Sequence, residues 1–463
     1  MHFFTGKSPI SLYFSLILAM HYPYLSFFSI LYLVSPMKIK IINAKLLCFE
    51  DDFQIKEADL FIDDGLIKGI GSAKEDYTSA YILDAKGKLL MPGLVNCHTH
   101  AYMSLFRNFA DDLPFDEWLF KKIMPVEDVM KAEHAYWLNL LSCMEMIKTG
   151  TTCFADMQMF KNQSVRAVTE SGMRAVISRG LIGESTKDEA AKSRLDEAYE
   201  EMEFAKGNDR ISFMLGPHAI YTCGEELLRE LPDIALEKKI GIMIHLAEGN
   251  TEYVSSIKGH KKSPTAYLES LNFFRSPTLA AHCVHLDDED IAILAKRKVS
   301  VATNPVSNMK LGNGFAPISK MIKAGINICV GTDSASSNNS LNMFRELSML
   351  SYIHKGLEKD ALKLPAKEVL RFGTLGGAKA LGLEEKLGGI KVGKKADLIL
   401  IDLDKPWLRP VNNPIFSLIY SATGTEVDTV IIDGKIIMEK GELKTLDEEK
   451  IYSEVEKIAG SLL

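Results

Sequence analysis

The chain has 463 residues, of which 47% are hydrophobic and 25% are charged, and its formal net charge is -7. This length exceeds what one hydrophobic core usually supports, so we expect a large domain and a smaller one. The acidic balance argues against binding to a nucleic-acid phosphate backbone. The seven cysteines form no CxxC pair and lie mostly in apolar stretches, which indicates reduced core residues of a cytoplasmic protein.

Residues 1–36 differ in composition from the rest of the chain. No charged residue occurs between Lys7 and Lys38, and two apolar runs fill this interval. The stretch is long enough for a membrane anchor of roughly 20 residues, and its weakly basic start is typical of a signal peptide. We favour a third interpretation, an over-long gene start with Met37 as the true initiator, because everything after Met37 has the pattern of a cytoplasmic enzyme.

The two flanks of the chain, 37–92 and 386–445, have a β-rich pattern. Short alternating apolar runs are separated by tight turns, and Asp64 and Asp433 are each followed by a glycine, as in β-hairpins. Two such flanks around a long middle predict one small β-sandwich domain formed by both chain ends. We expect residues 446–463 to form a C-terminal helix.

The middle of the chain, residues 93–385, alternates short apolar runs with amphipathic stretches of helical length. The eight runs are GLVNCH, TTCFAD, RAVISRG, ISFMLGPH, GIMIHLAE, TLAAHC, VSVATNP and NICVGTD. Strands that alternate with helices indicate a parallel sheet, and eight of them predict a closed (β/α)8 TIM barrel. An open doubly wound sheet is the alternative. The predicted fold class is therefore α/β, a TIM barrel with a small β-sandwich domain.

Polar residues gather where these apolar runs end. The carboxyl ends of all strands of a TIM barrel face one mouth, where active sites lie, so the fold would bring distant residues together. In chain order these residues are His98, His100, Arg179, His218, His245, Glu248, His282 and Asp333. His98 and His100 are two apart on a strand, so both imidazoles point the same way, which suits a metal. The alternative, satisfied core histidines, is disfavoured because six of the eleven histidines lie at or beside these ends.

The residue types suggest a hydrolytic mechanism. Three imidazoles and a carboxylate suit zinc or iron(II) and leave a position for water, the ligands being His98, His100, His245 and Asp333. Such a metal lowers the pKa of its water towards roughly 7. We expect Asp333 to take the proton of the water, Glu248 to protonate a substrate ring nitrogen, and His282 to orient the water or polarise the oxyanion. For Glu248 the simpler alternative is a solvated carboxylate at a helix start.

Six sequence strings resemble one known family. They are MPGLVNCHTHAYMSLFR, GPHAIYTC, IHLAEGNTEY, AAHCVHL, NPVSNMKLGNG and VGTDSASSNNSLNMFREL. The chain is similar, over about residues 37–443, to the amidohydrolase superfamily and within it to S-adenosylhomocysteine, 5'-methylthioadenosine and 5'-deoxyadenosine deaminases. The resemblance implies hydrolytic deamination of adenosine-type nucleosides to inosine analogues and ammonia, with a role in recycling by-products of S-adenosylmethionine. Residues 1–36 lie outside the resemblance.

For the metal centre, the resemblance implies one divalent metal per subunit, most often zinc. The positions that match its ligands are His98, His100, His245 and Asp333, with Glu248 as the catalytic glutamate and His282 as the strand-six histidine. Binuclear relatives carry a carboxylated lysine at the end of strand four. This chain has Pro217 and His218 there and no lysine in that segment, which supports a single metal.

For the substrate, the resemblance implies a second set of positions. They are Glu127, Arg179, Arg194, His218, Glu248 and Asp333. Glu127 matches the residue that binds the ribose hydroxyls, for which a carboxylate is a suitable acceptor. Arg179 and Arg194 resemble arginines beside the 5' carbon, although a solvated helix face is an equal alternative for Arg194. One departure is Thr303, which stands where the family commonly has histidine before Asn-Pro.

Two other functions remain as alternatives. A guanine deaminase or triazine-type hydrolase would use the same single metal, but such base-only substrates do not need Glu127 and Arg179. A non-catalytic family member would typically lose metal ligands, which this chain keeps. The four candidate nucleosides, 5'-deoxyadenosine, S-adenosylhomocysteine, 5'-methylthioadenosine and adenosine, differ at the 5' carbon, and the sequence does not rank them. We expect no nucleic-acid partner, and a homo-oligomer, either a dimer or a tetramer.

Overall fold

The computed structural model describes residues 38–49, 53–78, 80–115 and 117–463. The predictions made for residues 1–36 lie outside the described residues. Along the described ranges, no helix combines the length and apolar character that crossing a bilayer requires.

The strands fall into three groups along the chain. The N-terminal strands are β1 (Ile39–Cys48), β2 (Gln54–Asp63), β3 (Leu66–Ile70), β4 (Tyr81–Asp84) and β5 (Lys88–Pro92). The central strands are β6 (Leu94–Thr99), β7 (Thr151–Gln158), β8 (Arg174–Leu181), β9 (Ile211–Pro217), β10 (Gly241–Leu246), β11 (Thr278–His282), β12 (Ser300–Thr303) and β13 (Asn327–Val330). The C-terminal strands are β14 (Leu398–Asp402), β15 (Val427–Ile432), β16 (Lys435–Glu439) and β17 (Glu442–Leu443).

Helices follow most central strands. They are α1 (Met124–Glu127), α2 (Ala132–Lys148), α3 (Gln163–Ser171), α4 (Glu189–Phe204), α5 (Glu225–Lys238), α6 (Asn250–His260), α7 (Pro264–Ser270), α8 (Asp288–Arg297), α9 (Pro305–Lys310), α10 (Ile318–Lys323), α11 (Met343–Glu358), α12 (Ala366–Arg371), α13 (Gly377–Ala380), α14 (Pro414–Tyr420) and α15 (Glu448–Leu462). Short 3-10 helices span Ala101–Phe106 and Phe273–Arg275, and π-helical turns span Glu117–Ile123 and Phe372–Gly376. The C-terminal helix lies within the predicted range 446–463.

The eight central strands form a parallel sheet in sequential order, from β6 to β13. The ends of the sheet meet, because the Thr332 amide donates to Asn96 Oδ1 at 3.0 Å and the Asp333 amide donates to the carbonyl of His98 at 2.9 Å. Sequential order and closure are the properties of a (β/α)8 barrel rather than of a doubly wound sheet, whose strand order reverses. The predicted barrel is confirmed, and the carboxyl ends of its strands define one mouth.

Both chain ends contribute to one second sheet, as predicted. Its order is β17-β16-β15-β14-β5-β1-β2-β3, with β4 also paired to β1. The chain ends meet where β5 and β14 pair antiparallel. The predicted sandwich is one continuous hydrogen-bonded sheet, because β1 has an irregular register between Ile41 and Ala44 and pairs with β4 before it and with β5 after it.

The terminal sheet is apolar on both faces. Alternate residues of β14 separate in this way, since Leu398 and Leu400 pack into a small core of the sheet itself while Ile399 and Ile401 join the core of the barrel. This period of two is expected for a strand that is covered on both sides. The sheet therefore supports the barrel away from the mouth and leaves the strand carboxyl ends for chemistry.

Candidate metal centre and active site

The two histidines of the HTH string point into the barrel mouth from β6. Nε2 of His98 lies 3.6 Å and Nε2 of His100 lies 3.7 Å from Oδ1 of Asp333, which follows β13. His245, at the end of β10, brings its Nε2 to 3.1 Å from Nε2 of His100. The structure thus brings together all four predicted metal ligands, although they are up to 235 positions apart in the chain (98 to 333).

The hydrogen bonds of these histidines fix which ring nitrogen faces the mouth. Nδ1 of His100 donates to the carbonyl of Met157 and Nδ1 of His245 donates to the carbonyl of His218, both at 2.8 Å. Because a carbonyl only accepts, Nδ1 carries the hydrogen, and each neutral ring presents a bare Nε2 lone pair. Two such lone pairs 3.1 Å apart repel each other unless a cation lies beside both.

His98 provides a second sign of a cation. Its side chain is fully buried, and neither of its ring nitrogens has a hydrogen-bond partner among the described residues. Burial lowers the pKa of both His98 and His245 well below the usual value, which keeps these rings in the neutral form that binds metals. The donor set of imidazoles and one carboxylate therefore fits a divalent metal.

Asp333 is held as an anion by its surroundings. Burial opposes its ionisation, but the charge of His282 and the hydrogen bond from Ser307 keep the pKa of Asp333 below its usual value. Oδ2 accepts hydrogen bonds from the hydroxyls of Ser307 and Ser337 at 2.7 and 2.8 Å. These bonds leave Oδ1 to face the two histidines of β6.

His282 and Glu248 lie beside the histidine cluster. His282 donates from Nδ1 to Oδ1 of Asn308 at 2.8 Å, so its Nε2 faces Oε2 of Glu248 at 3.8 Å and Oδ2 of Asp333 at 4.0 Å. Burial raises the pKa of Glu248. The alternative of a solvated carboxylate is wrong, since Glu248 is 8% exposed and its Oε1 accepts from Asn313 at 3.1 Å.

The turn that carries Glu248 is held by another buried carboxylate. Glu252 accepts hydrogen bonds from the amides of Ala247 and Glu248, at 3.2 and 2.8 Å. Ala247 has a φ of 51°, a left-handed conformation that costs an alanine free energy. Glu252 thus stabilises a strained turn that aims Glu248 at the mouth.

Of the predicted substrate-contacting residues, Glu127 and Arg194 lie together on the wall of the mouth. Glu127 is partly buried and accepts a hydrogen bond from the hydroxyl of Tyr102. Burial raises the pKa of Glu127, while the hydrogen bond from Tyr102 and the charge of Arg194 oppose this rise. Arg194 donates to the carbonyl of Gly180 at 3.1 Å, so the alternative of a solvated helix face is wrong.

Arg179 and His218, which were also predicted to contact substrate, both form hydrogen bonds within the protein. Arg179 donates from Nε to Glu197 at 2.7 Å and from a terminal nitrogen to the carbonyl of Gln158 at 3.3 Å. The ring of His218 lies 4.8 Å from the ring of His245, and its Nδ1 is hydrogen bonded to Thr222. Burial lowers the pKa of His218 to about 4, so this ring is neutral at physiological pH.

Several residues of the site were missed by the sequence analysis. They are Tyr102, Glu252, Ser307, Asn308, Asn313 and Ser337, each bonded to a predicted residue. Glu252 carries a usable signal, because a second glutamate four residues after Glu248 lies on the first turn of α6. Tyr102, Asn313 and Ser337 lie on short turns or loops, and Ser307 and Asn308 lie on the six-residue helix α9, so none of them has a periodic pattern that predicts it.

The chain is similar to proteins of one family. Over residues 89–437 it matches the family described as Amidohydrolase family. It is 47% identical over 428 residues to a 5-methylthioadenosine/S-adenosylhomocysteine deaminase of Caldanaerobacter subterraneus subsp. tengcongensis, covering 92% of this chain and 99% of the relative. A protein of the same name from Thermoanaerobacter pseudethanolicus is 45% identical over 430 residues, with 92% and 100% covered.

Solved structures share the architecture. An adenosine deaminase from Xanthomonas campestris with bound zinc superposes with a TM-score of 0.87 at 30% identity, covering 92% of this chain and 98% of that one. A triazine hydrolase reaches a TM-score of 0.84 at 22% identity, covering 91% and 99%, and this likeness shows the fold alone. From the family match, the sequence identities and the barrel with its histidine-lined mouth, the chain belongs to the amidohydrolase family.

Proposed function

We propose that this protein hydrolytically deaminates adenosine-type nucleosides to the inosine analogues and ammonia. The observation that carries the proposal is the convergence of three buried imidazoles, the partly buried imidazole of His100, one anionic carboxylate and one buried glutamate at a single mouth. The relatives named 5-methylthioadenosine/S-adenosylhomocysteine deaminase support the substrate class. In this reaction a water adds to the amine-bearing ring carbon, and the amino group leaves as ammonia.

One divalent ion, zinc in our proposal, would be held by His98, His100, His245 and Asp333. Iron(II) accepts the same donors. When bound, such an ion lowers the pKa of a coordinated water, so that hydroxide is available at neutral pH. His218, at the end of strand four, offers no carboxylated lysine for a second ion, which supports one metal per subunit.

Asp333 acts as the first base in this proposal. Because its neighbours keep it ionised, it can accept the proton of the attacking water. The hydroxyls of Ser307 and Ser337 fix the orientation of the carboxylate. His282, with Nδ1 donating to Asn308, directs Nε2 to the region between Asp333 and Glu248, where it orients the water or stabilises the oxygen that replaces the amine.

Glu248 moves the proton that the base of the substrate requires. Asn313 occupies Oε1, so Oε2 is the oxygen left to face substrate. Burial raises the pKa of Glu248, which favours the protonated acid that donates to the ring nitrogen. The carboxylate that results can then take the proton of the added hydroxyl and pass it to the departing ammonia, and the proton that Asp333 took from the water restores the starting state.

The wall of the mouth supports a nucleoside rather than a free base. Glu127 would accept hydrogen bonds from the two ribose hydroxyls, with Arg179 and Arg194 beside the 5' group and the neutral ring of His218 against the base. A guanine deaminase or triazine-type hydrolase is the alternative. Solved enzymes of those names resemble this chain at only 22% identity, and their substrates have no ribose for Glu127 to bind.

A substrate panel tests the proposal directly. Purified protein loaded with zinc should release ammonia from at least one of adenosine, 5'-deoxyadenosine, 5'-methylthioadenosine and S-adenosylhomocysteine, with kcat/KM measured for each. Guanine serves as the control substrate and should not react. Absence of turnover for all four nucleosides, in protein whose metal content equals one ion per chain, would contradict the proposal.

The proposal also covers the compartment, the oligomeric state and the metabolic role of the enzyme. All seven cysteines are buried free thiols, which supports a reducing compartment such as the cytoplasm. We propose a homo-oligomer, a dimer or a tetramer, acting on small molecules in the recycling of by-products of S-adenosylmethionine. Light scattering of the purified protein measures the molar mass and hence the oligomeric state.

A further inference from the structure

Tyr102 stands on a rigid part of the mouth, immediately after the histidines of β6. The amide of its neighbour Ala101 donates to Asp156 at 2.8 Å, and the carbonyl of Ala101 accepts from Ser142 at 2.6 Å. Two residues further on, Ser104 donates to the carbonyl of Leu138 at 2.9 Å. These bonds tie both sides of Tyr102 to buried groups of the barrel.

The tyrosine side chain is packed and points its hydroxyl at one target. Tyr102 is 3% exposed, and its ring makes an edge contact with Phe160, with ring centroids 5.4 Å apart. The hydroxyl donates to Oε1 of Glu127. Among the described residues, this hydroxyl is the one hydrogen-bond partner of the Glu127 carboxylate.

Glu127 lies at the end of a segment whose backbone is anchored by apolar side chains. The segment begins with the π-helical turn Glu117–Ile123 and continues through α1. Trp118 and Ile123 before α1 and Met130 after it are buried in the core, so apolar packing fixes the backbone of this segment. The side chain of Glu127 is only partly buried, so the direction of its carboxylate depends on the hydrogen bond from Tyr102.

We infer that Tyr102 is a positioning residue that fixes Glu127 for recognition of the ribose hydroxyls, an inference that rests on the proposed function. The hydrogen bond that Tyr102 donates to Oε1 of Glu127 leaves Oε2 and one lone pair of Oε1 to accept hydrogen bonds from a ligand in the mouth. Two vicinal hydroxyls require two such acceptors. The tyrosine thereby sets the preference for a ribonucleoside over its 3'-deoxy analogue without itself being the acceptor.

A comparison of adenosine with 3'-deoxyadenosine tests this role. Y102F keeps the ring and its contact with Phe160 but removes the donor. We expect KM for adenosine to rise about tenfold with kcat nearly unchanged, since a bond to a charged group is lost. The preference for adenosine over 3'-deoxyadenosine in kcat/KM should fall by a similar factor, because 3'-deoxyadenosine lacks one hydroxyl that Glu127 would bind.

Two further variants separate positioning from packing. E127Q should also lower the preference, and Y102F combined with E127Q should lower it no further, as expected for residues that act as one unit. Y136F is the matched control, because Tyr136 is equally buried and donates to Glu170 between α2 and α3, away from the mouth. It should leave the preference unchanged.

The outcomes distinguish the inference from the function on which it rests. A wild-type protein that deaminates none of the nucleosides would overturn both. A wild-type protein that prefers adenosine, with a Y102F variant that keeps the same preference or slows both substrates equally, would overturn the role of Tyr102 alone.

Discussion

Buried charge is treated differently at the barrel mouth and at the junction between barrel and terminal sheet. At the junction, Arg174 of β8 donates to both oxygens of Asp397, at 2.7 and 3.1 Å, and both side chains are 3% exposed. At the mouth, both ring nitrogens of His98 lack a hydrogen-bond partner within the part of the chain that the structure describes, and His100 and His245 direct bare nitrogens at each other. The junction is complete in the protein alone, whereas the mouth is completed by what it binds.

Backbone conformation shows the same difference. In the terminal sheet, Asp64 and Asp433 have positive φ in hairpin turns, where each is followed by glycine, as the turn type requires. At the mouth, Ala247, His282 and Asp333 have positive φ with no glycine beside them to relieve it. Such positions cost about 1–3 kcal/mol each and persist where function holds them.

The largest expected effect is on the chemistry of the mouth. Glu248→Gln preserves the size of the side chain and its contact with Asn313 but removes the proton that moves. We expect kcat to fall about 10²–10⁴-fold while the metal content remains that of the wild type. His98→Ala should lose both activity and metal, because a ligand is removed. Ammonia release and metal analysis by mass spectrometry measure the two properties.

Glu449→Gln is a suitable control for Glu248→Gln. Glu449 is exposed on α15, far from the mouth, and its replacement should change neither property. A Glu248→Gln enzyme that retains more than a tenth of the wild-type kcat would show that another group carries the proton.

The junction should respond in stability rather than activity. Arg174→Met leaves the carboxylate of Asp397 buried without its main partner, which we expect to lower the free energy of unfolding by about 3–5 kcal/mol. Activity per folded molecule should stay near that of the wild type, because the junction lies away from the mouth. Urea unfolding followed by circular dichroism measures the loss.

A double variant checks the cause of that loss. Replacing both partners, with Arg174→Met and Asp397→Leu, removes the unpaired buried carboxylate. The double variant should therefore recover part of the free energy of unfolding that Arg174→Met loses. A single Arg174→Met variant that loses less than about 1 kcal/mol, the usual worth of an exposed pair, would show that the junction is not held by this ion pair.

The two regions also differ in how far the sequence predicts them. Apolar runs at regular intervals predict the barrel, and the ends of those runs predict His98, His245 and Asp333, because a strand end is a local pattern. The Asp-Gly turns predict the hairpins for the same reason. The continuity of the terminal sheet escaped prediction, because β1 pairs along one edge with both β4 and β5, which are not its neighbours in the chain.

The support of the site escaped prediction for a related reason. Asn313 and Ser337 act through the conformations of loops after β12 and β13, which no periodicity encodes. Arg179 was predicted to lie beside the 5' group of the substrate, but nothing in the sequence indicated that its Nε donates to Glu197 of α4. Side-chain pairing between elements is set by packing, which the one-dimensional pattern leaves open.

A smaller effect should come from the turn that holds Glu248. Glu252→Gln cannot accept from both amides of Ala247 and Glu248, since one end of its side chain is a donor. We expect kcat to fall about tenfold, as for the loss of one well-placed hydrogen bond to a charged group, with metal content unchanged. Steady-state kinetics on samples of equal metal content measures this change. An unchanged kcat would show that the turn at Ala247 and Glu248 keeps its conformation without both hydrogen bonds to Glu252.

The smallest expected effect lies beside the junction, at Lys435 of β16. Burial lowers the pKa of Lys435 to about 8, and Arg210 and Lys395 add to this effect while Asp433 opposes it. The folded protein therefore binds this proton less tightly than the unfolded chain, so stability is lost as the pH falls from 10.5 to about 8 and the loss is complete below that pH. Lys435→Met should stabilise the protein at pH 7 by about 1 kcal/mol, after screening at a partly exposed site. The gain should shrink between pH 8 and 10.5, where the wild-type lysine becomes neutral, and urea midpoints across this range measure it. A gain that is the same at every pH would instead reflect the added apolar contact of methionine, and the junction would then differ from the mouth in packing rather than in its charges.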